Sequence, residues 1–184
     1  MTTMTVMPRA TDDWTVDDLD QLPDDGLRYE LLDGLLLVSP APTPLHQDVV
    51  HELVRTLDAN VPDDLRVYFA PIDWRPDRRT SFQPDVLVVH RADVGKKNLS
   101  APLLLAVEML SPSTRRKDEL LKFSKYADAG VASYWIVDPD EPSIVAYDLI
   151  DGRYAEAGRG AGADDLTLKN PFPVSVVPQA LVSR

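Results

Sequence analysis

The sequence predicts a mixed α/β domain in which helices pack against one central sheet. Three observations point there. Apolar residues recur at helical spacing in two long segments, one running from Pro44 to Asn60 and one from Arg115 to Ala129. Runs such as QPDVLVVH and LLLAVEML are apolar on both faces, as strands inside a covered sheet are. These segments follow one another as hairpin, helix, three strands, helix, strand and hairpin.

Each element has a local cause. Residues 1–12 read as a disordered tail, and residues 13–184 as a single domain without internal repeats. WTVDDLDQL, from Trp14, predicts a short helix stopped by Pro23-Asp24-Asp25-Gly26. In RYELLDGLLLVSP, from Arg28, Asp33-Gly34 between apolar runs signals a hairpin. Thr43 and Pro44 suit an N-cap and a first helical position. Leu45, Val49, Val50, Leu53, Val54 and Leu57 then keep one helix face apolar as far as Asn60. Three strands are expected next: LRVYFAPIDW from Leu65, QPDVLVVH from Gln83 and LLLAVEML from Leu103. Thr114 can cap the second long helix, RRKDELLKFSKYADA, which Gly130 closes. VASYWIVDPD, from Val131, is a further central strand, and SIVAYDLIDGRYAEA turns back on itself at Asp151-Gly152. From Gly158 onward, Pro171, Pro173 and Pro178 imply an irregular wrap or an edge.

Composition narrows the chemistry. The 184 residues include no cysteine, which excludes disulfides, thiolate zinc sites and cysteine nucleophiles. A net charge of −11 argues against a general nucleic-acid coat, which must neutralise phosphates, yet leaves room for a local basic groove. Of the basic clusters, Arg75 with Arg78 and Arg79, and Lys96 with Lys97, read as solvated surface charge, whereas Arg115-Arg116-Lys117 follows a more unusual segment. The N-terminus lacks the apolar core of a signal peptide, and no stretch nears the roughly 20 apolar residues of a membrane span. A cytoplasmic protein with no membrane association is expected. No G-x-S-x-G elbow, Walker-type loop or H-E-x-x-H pair occurs in the sequence.

The unusual segment is LLLAVEML, where Glu108 stands in line with an unbroken apolar run. An isolated charge is rarely left in an interior, so the glutamate needs a partner. Strand side chains two apart share a face, which puts Glu108 with Leu104, Ala106 and Leu110, and Asp85 with Leu87 and Val89. Were the two strands neighbours, both carboxylates would reach one point near the strand ends. Two anions that close repel unless a cation sits with them. That cation is either a hard divalent ion such as Mg²⁺, which takes oxygen ligands, or an Arg or Lys from elsewhere in the chain.

Pro84-Asp85 opening one strand, with Glu108-Met109-Leu110 late in the next, is similar to the signature of the PD-(D/E)XK nuclease superfamily. The longer string RYELLDGLLLVSPAPTPLHQ, QPDVLVV and LLLAVEMLSPSTRRKDELLKFSKYADAGVASYWIVDP resembles the Uma-type restriction endonuclease family over most of residues 28–139. The resemblance implies a restriction-endonuclease-like fold: a mixed central sheet flanked by helices, with an N-terminal β-hairpin. It implies a metal-dependent endonuclease that hydrolyses DNA phosphodiester bonds. Asp85, Glu108 and the backbone carbonyl of Met109 would then hold Mg²⁺ or Mn²⁺, with Glu30 close by. A homodimer is the implied assembly, since superfamily members that cut both strands commonly act as dimers.

One position departs from the superfamily. Alternation would project the lysine of its E-x-K pattern from residue 110, which here is leucine. The resemblance offers Lys122 instead, on the following helix, where Asp118, Lys122 and Tyr126 share one side. Leu120, Phe123 and Ala127 mark that helix's apolar stripe, so Lys122 lies on a flank and either bends its stem inward or stays solvated. Glu30 shares a strand face with Leu32 and is either a third acidic group at the metal or half of a hairpin ion pair. His46 is either a hydrogen-bonded, half-buried histidine or a substrate contact, and Arg115, Arg116 and Lys117 would meet backbone phosphates. The acidic charge and the missing strand lysine also fit a different class of protein, a catalytically inactive nuclease-fold module that binds protein or DNA.

Overall fold

The computed structural model describes residues 5–7, 14–110 and 118–182. Within the stretch expected as a disordered tail, β1 (Thr5–Met7) pairs antiparallel with a strand of the N-terminal hairpin. Thr15 caps the short helix α1 (Val16–Leu19): its hydroxyl accepts from the Asp18 N–H while the Asp18 carboxylate accepts from the Thr15 N–H. The hairpin follows as β2 (Arg28–Leu32) and β3 (Leu35–Ser39). Its turn needs left-handed backbone at both central residues, and Asp33 and Gly34 supply φ of 50° and 87°. Thr43 and Pro44 open α2 (Pro44–Asp58), which buries Val49, Val50, Leu53 and Leu57.

The three strands expected next are in fact five. The first expected strand divides into β4 (Leu65–Phe69) and β5 (Trp74–Asp77), with Pro71 between them unable to donate to a ladder. Pro84 likewise separates β6 (Thr80–Phe82) from β7 (Val86–His90), and β8 (Leu105–Met109) comes last. Then follow α3 (Asp118–Asp128), β9 (Ser133–Asp138) and the long hairpin of β10 (Ser143–Ile150) and β11 (Arg153–Ala161). The tail is more regular than its prolines suggest. β12 (Leu166–Leu168) and β13 (Val174–Val176) form a two-stranded ladder, and α4 (Pro178–Val182) packs Leu181 into the core.

The fold is the expected α/β class, with a mixed sheet ordered β11-β10-β9-β8-β7-β4 at its centre. β8 and β9 run parallel, joined through a crossover containing α3, and the other pairs of this sheet are antiparallel. The remaining early strands form a second sheet, β1-β3-β2-β6-β5, which the sequence reading had merged into the first. Both faces of the central sheet are covered. On one, Val86, Val88, Leu105, Val107, Trp135 and Val137 pack with α2, α4 and the β12–β13 ladder. On the other, Leu87, Val89, Ala106 and Tyr134 meet Tyr126 of α3, together with Leu32, Leu37, Trp74 and Phe82 of the second sheet. By alternation this second face is also the one on which Asp85 and Glu108 project.

Candidate active site

The site lies where the two sheets and α3 meet. β7 and β8 pair with Val86 opposite Val107 and Leu87 opposite Ala106. Continuing that register by one residue sets Asp85 opposite Glu108, at the mouth of the face covered by α3. Glu30 arrives from β2, which meets β6 through Leu31 and Ser81. Its Oε1 accepts from the Gln83 N–H at 2.8 Å, two residues before Asp85. Lys122 descends from α3 between the carboxylates. Its Nζ donates to Glu30 Oε1 and Oε2 at 3.1 and 3.0 Å and to Glu108 Oε1 at 3.1 Å. One turn later on the same helix side, the Tyr126 hydroxyl donates to Glu108 Oε1 at 2.6 Å.

Asp85 has its own partners. Arg28 Nη1 donates to Oδ1 at 3.0 Å, the Met109 N–H donates to Oδ2 at 2.8 Å, and His46 Nε2 lies 3.3 Å from Oδ2. Arg28 Nη2 is also 3.6 Å from Glu30 Oε1. Aromatic rings close the site from below. Phe82 lies under the Lys122 ammonium at 5.2 Å, and Tyr126 stacks on Trp74 at 5.5 Å. Glu30, Asp85 and Lys122 are only 3%, 2% and 7% exposed, so their interactions are weakly screened by solvent.

Burial pushes the three carboxyls toward neutrality, and the neighbours decide which of them yields. For Glu30, Lys122, Arg28 and the Gln83 N–H outweigh burial and hold the group below its usual range. For Asp85, Arg28, His46 and the Met109 N–H likewise outweigh burial and hold it well below that range. Glu108 goes the other way. Burial, reinforced by repulsion from Asp85 and Glu30, exceeds the pull of Lys122 and raises its pKa. Burial works against the Lys122 ammonium, but Glu108 and Glu30 overcome it and raise its pKa, so the lysine stays charged.

The structure thus brings Asp85, Glu108, Lys122, Glu30 and His46 together with the Met109 main chain. Lys122 is no flank residue: it and Tyr126 form the buried line of α3, and Leu121 beside it is half exposed. Of the two kinds of cation expected beside these acidic groups, the structure shows side chains: Asp85 pairs with Arg28 and Glu108 with Lys122. Among the described residues, no three His, Asp or Glu side chains are arranged to hold a metal ion. Arg115, Arg116 and Lys117 lie outside the described residues, as does Thr114.

The family model Uma2, "Putative restriction endonuclease", matches residues 16–180. This chain belongs to the Uma2 family. Among solved structures, the Uma2 chain is similar to one titled as the crystal structure of a "putative nuclease belonging to DUF820" from Anabaena variabilis ATCC 29413. The likeness has a TM-score of 0.70 at 17% identity and covers 91% of this chain and 97% of the other, which shows a common fold. No curated protein matches the Uma2 chain.

Three members of the Uma2 site escape a reading of the sequence: Arg28, Tyr126 and Gln83. Arg28 precedes Glu30 by two residues and therefore shares its strand face, a signal that was present in RYE. Tyr126 repeats Lys122 after four residues and was placed on its side of the helix without a role. Gln83 acts through its main-chain N–H, which no residue type announces.

Proposed function

We propose that this Uma2-family protein is a divalent-metal-dependent endonuclease that hydrolyses phosphodiester bonds in DNA. The observation that carries the reading is the burial of Lys122 Nζ between Glu30 and Glu108. From α3 it supplies, beside Asp85 and Glu108, the positive charge that Leu110 withholds from β8.

The donors suit a hard cation. Ionised together, the three carboxylates would exceed the two permanent cations, Arg28 and Lys122, by one charge, and it is Glu108 whose pKa is raised by that excess and by burial. Among the described residues, the hydrogen bonds to the Glu108 carboxylate, from Lys122 and Tyr126, both fall on Oε1, and its side chain keeps 14% exposure. A strand residue's N–H and C=O leave on the same edge, so the Met109 carbonyl shares the edge from which its N–H meets Asp85. Asp85, Glu108 and the Met109 carbonyl would hold Mg²⁺ or Mn²⁺, with Glu30 behind them. When bound, such an ion would lower the pKa of a coordinated water and offset charge developing on the phosphate.

The chain's own residues do the rest. Lys122 presents a fixed ammonium whose orientation two carboxylates have already set, so little reorganisation accompanies the reaction. Tyr126 and Lys122 hold Glu108 Oε1 toward α3. Phe82 and Trp74 exclude water beneath the ammonium. Arg115, Arg116, Lys117 and His46 serve as DNA contacts in this reading, and a cytoplasmic homodimer of the single domain 13–184 cuts both strands.

Plasmid nicking tests it. Purified protein with Mg²⁺ or Mn²⁺ nicks supercoiled DNA, and Asp85→Ala abolishes the nicking. If wild type and Asp85→Ala behave alike, the enzymatic reading fails. One observation favours a second reading, a nuclease-fold module that binds without cutting: Asp85 Oδ1 is already taken by Arg28. DNA or protein binding without cleavage at saturating metal selects that reading.

A further inference from the structure

Arg28 is the part of the site that the proposed chemistry leaves without a task. Its guanidinium reaches Asp85 Oδ1 at 3.0 Å, yet Nε and Nη2 are buried and make no hydrogen bond. A guanidinium is a rigid fork of five N–H donors matched to the paired oxygens of a carboxylate or phosphate. Here, among the described residues, Nε has no hydrogen-bond partner and Nη2 has only the Glu30 carboxylate at 3.6 Å, beyond hydrogen-bond range. Buried donors are seldom left so, because each has given up water for nothing. The arrangement is that of a group with a second position to occupy.

We propose that Arg28 stands at the cation position in the metal-free protein and is exchanged for the divalent ion. The ion takes Asp85 Oδ1, and the released guanidinium becomes a ligand for the phosphate of the phosphodiester. This inference rests on the metal-dependent reading above and names the residue that the metal displaces.

Charge supports the exchange. With all three carboxyls counted as ionised and His46 left aside, Glu30, Asp85 and Glu108 exceed Arg28 and Lys122 by one negative charge. A divalent ion reverses that excess to one positive charge and repels the guanidinium with which it would share Asp85. A phosphodiester, carrying one negative charge, then brings the whole to neutrality with Arg28 still in the site. A terminal phosphate monoester, with more charge near neutral pH, does not. The balance therefore fits a phosphodiester better than a terminal phosphate monoester. No covalent change at Arg28 is involved; its hydrogen bonds pass from carboxylate to phosphate.

The decisive measurement is metal affinity, separate from turnover. Full-length wild type, Arg28→Met and Arg28→Lys are titrated with Mn²⁺ by isothermal calorimetry. Arg28→Met, which removes the competing charge, binds Mn²⁺ at least about tenfold more tightly than wild type, and Arg28→Lys binds close to wild type. In Ca²⁺, Arg28→Met binds a short DNA duplex more weakly, and its salt dependence becomes shallower by about one ion. Arg28→Met binding Mn²⁺ equally or more weakly, while wild type binds it, overturns the exchange and leaves the metal-dependent reading standing. Absence of Mn²⁺ binding in wild type and in Arg28→Met alike overturns both. Should Arg28→Met fail to fold by circular dichroism, wild type alone decides. The Arg28 guanidinium ¹⁵N–¹H signals, held distinct by the Asp85 contact, merge on saturation with Mg²⁺. Signals that stay distinct at saturating Mg²⁺ overturn the exchange.

Discussion

Tyr126 donates its hydroxyl proton to Glu108 Oε1 across 2.6 Å, and Lys122, one turn earlier on α3, reaches the same oxygen at 3.1 Å. Two side chains of a helix thus fasten a strand carboxylate by a single atom. Burial, with Glu108 beside it, pushes the Tyr126 pKa far up, so the phenol remains a donor at any working pH. Tyr126→Phe keeps the stack on Trp74 and deletes the hydrogen bond alone. A hydrogen bond to a charged acceptor contributes about 1.5–3 kcal/mol, so urea unfolding shows a loss of that order. Nicking falls as well, by about tenfold, as Glu108 loses its orientation. Wild-type nicking by Tyr126→Phe would remove the tyrosine from the mechanism.

Lys122→Met strips the cation from two buried carboxylates at once. Breaking a buried pair by removing one partner costs about 3–5 kcal/mol, and chemical denaturation reads that loss directly. The double variant Glu30→Gln/Lys122→Met removes one of the abandoned charges and recovers part of the stability. Neither variant nicks DNA. Recovered folding without recovered activity separates the structural from the chemical use of the lysine.

Glu108 and Asp85 respond to neutralisation with opposite signs. The ionised form of Glu108 is disfavoured by burial and by its acidic neighbours, so Glu108→Gln raises the melting temperature of the metal-free protein. Asp85 is favoured as an anion by Arg28, His46 and the Met109 N–H, so Asp85→Asn lowers it. Both variants lose nicking. Differential scanning fluorimetry without metal checks the two signs, and Glu108→Gln melting below wild type would contradict the assignment. A stabilising substitution that destroys activity is the mark of a residue kept for chemistry.

Acid stability follows from the same shifts. Glu30 and Asp85 have native pKa values below those of the unfolded chain, so the unfolded state takes up protons first as pH falls. Their contribution is complete above the ordinary carboxyl range of about pH 4 and is lost below it, toward their native values. Glu108, shifted upward, opposes this trend in part. Melting temperature measured from neutral pH to about pH 3 therefore drops below about pH 4, and Asp85→Asn drops less steeply.

Much of this was legible in the sequence, and the gaps have physical causes. Glu108 stood out because a carboxylate interrupted an apolar strand, and alternation set it on a face with Asp85 before any pairing was known. Lys122 was harder. Apolar periodicity finds the buried side of a helix only where that side covers an apolar surface. Here α3 covers carboxylates as well as rings: Phe123 of the apolar stripe packs on Tyr134, Tyr147 and Tyr154, while beside it a second buried line runs through Lys122 and Tyr126. The second sheet was hidden for another reason. The β2–β6 pairing joins residues some fifty positions apart, and no local pattern encodes a contact at that distance.

The Lys122–Glu30 contact joins residues 92 positions apart. A chain emerging from the ribosome therefore displays its first acidic group long before the ammonium that disciplines it, and Asp85 and Glu108 arrive in between. Until α3 has been synthesised and docked, no truncated product possesses the complete set. Synthesis order thus delays assembly of the site: a chain that stops short of α3 carries the three carboxylates without the ammonium that pairs two of them.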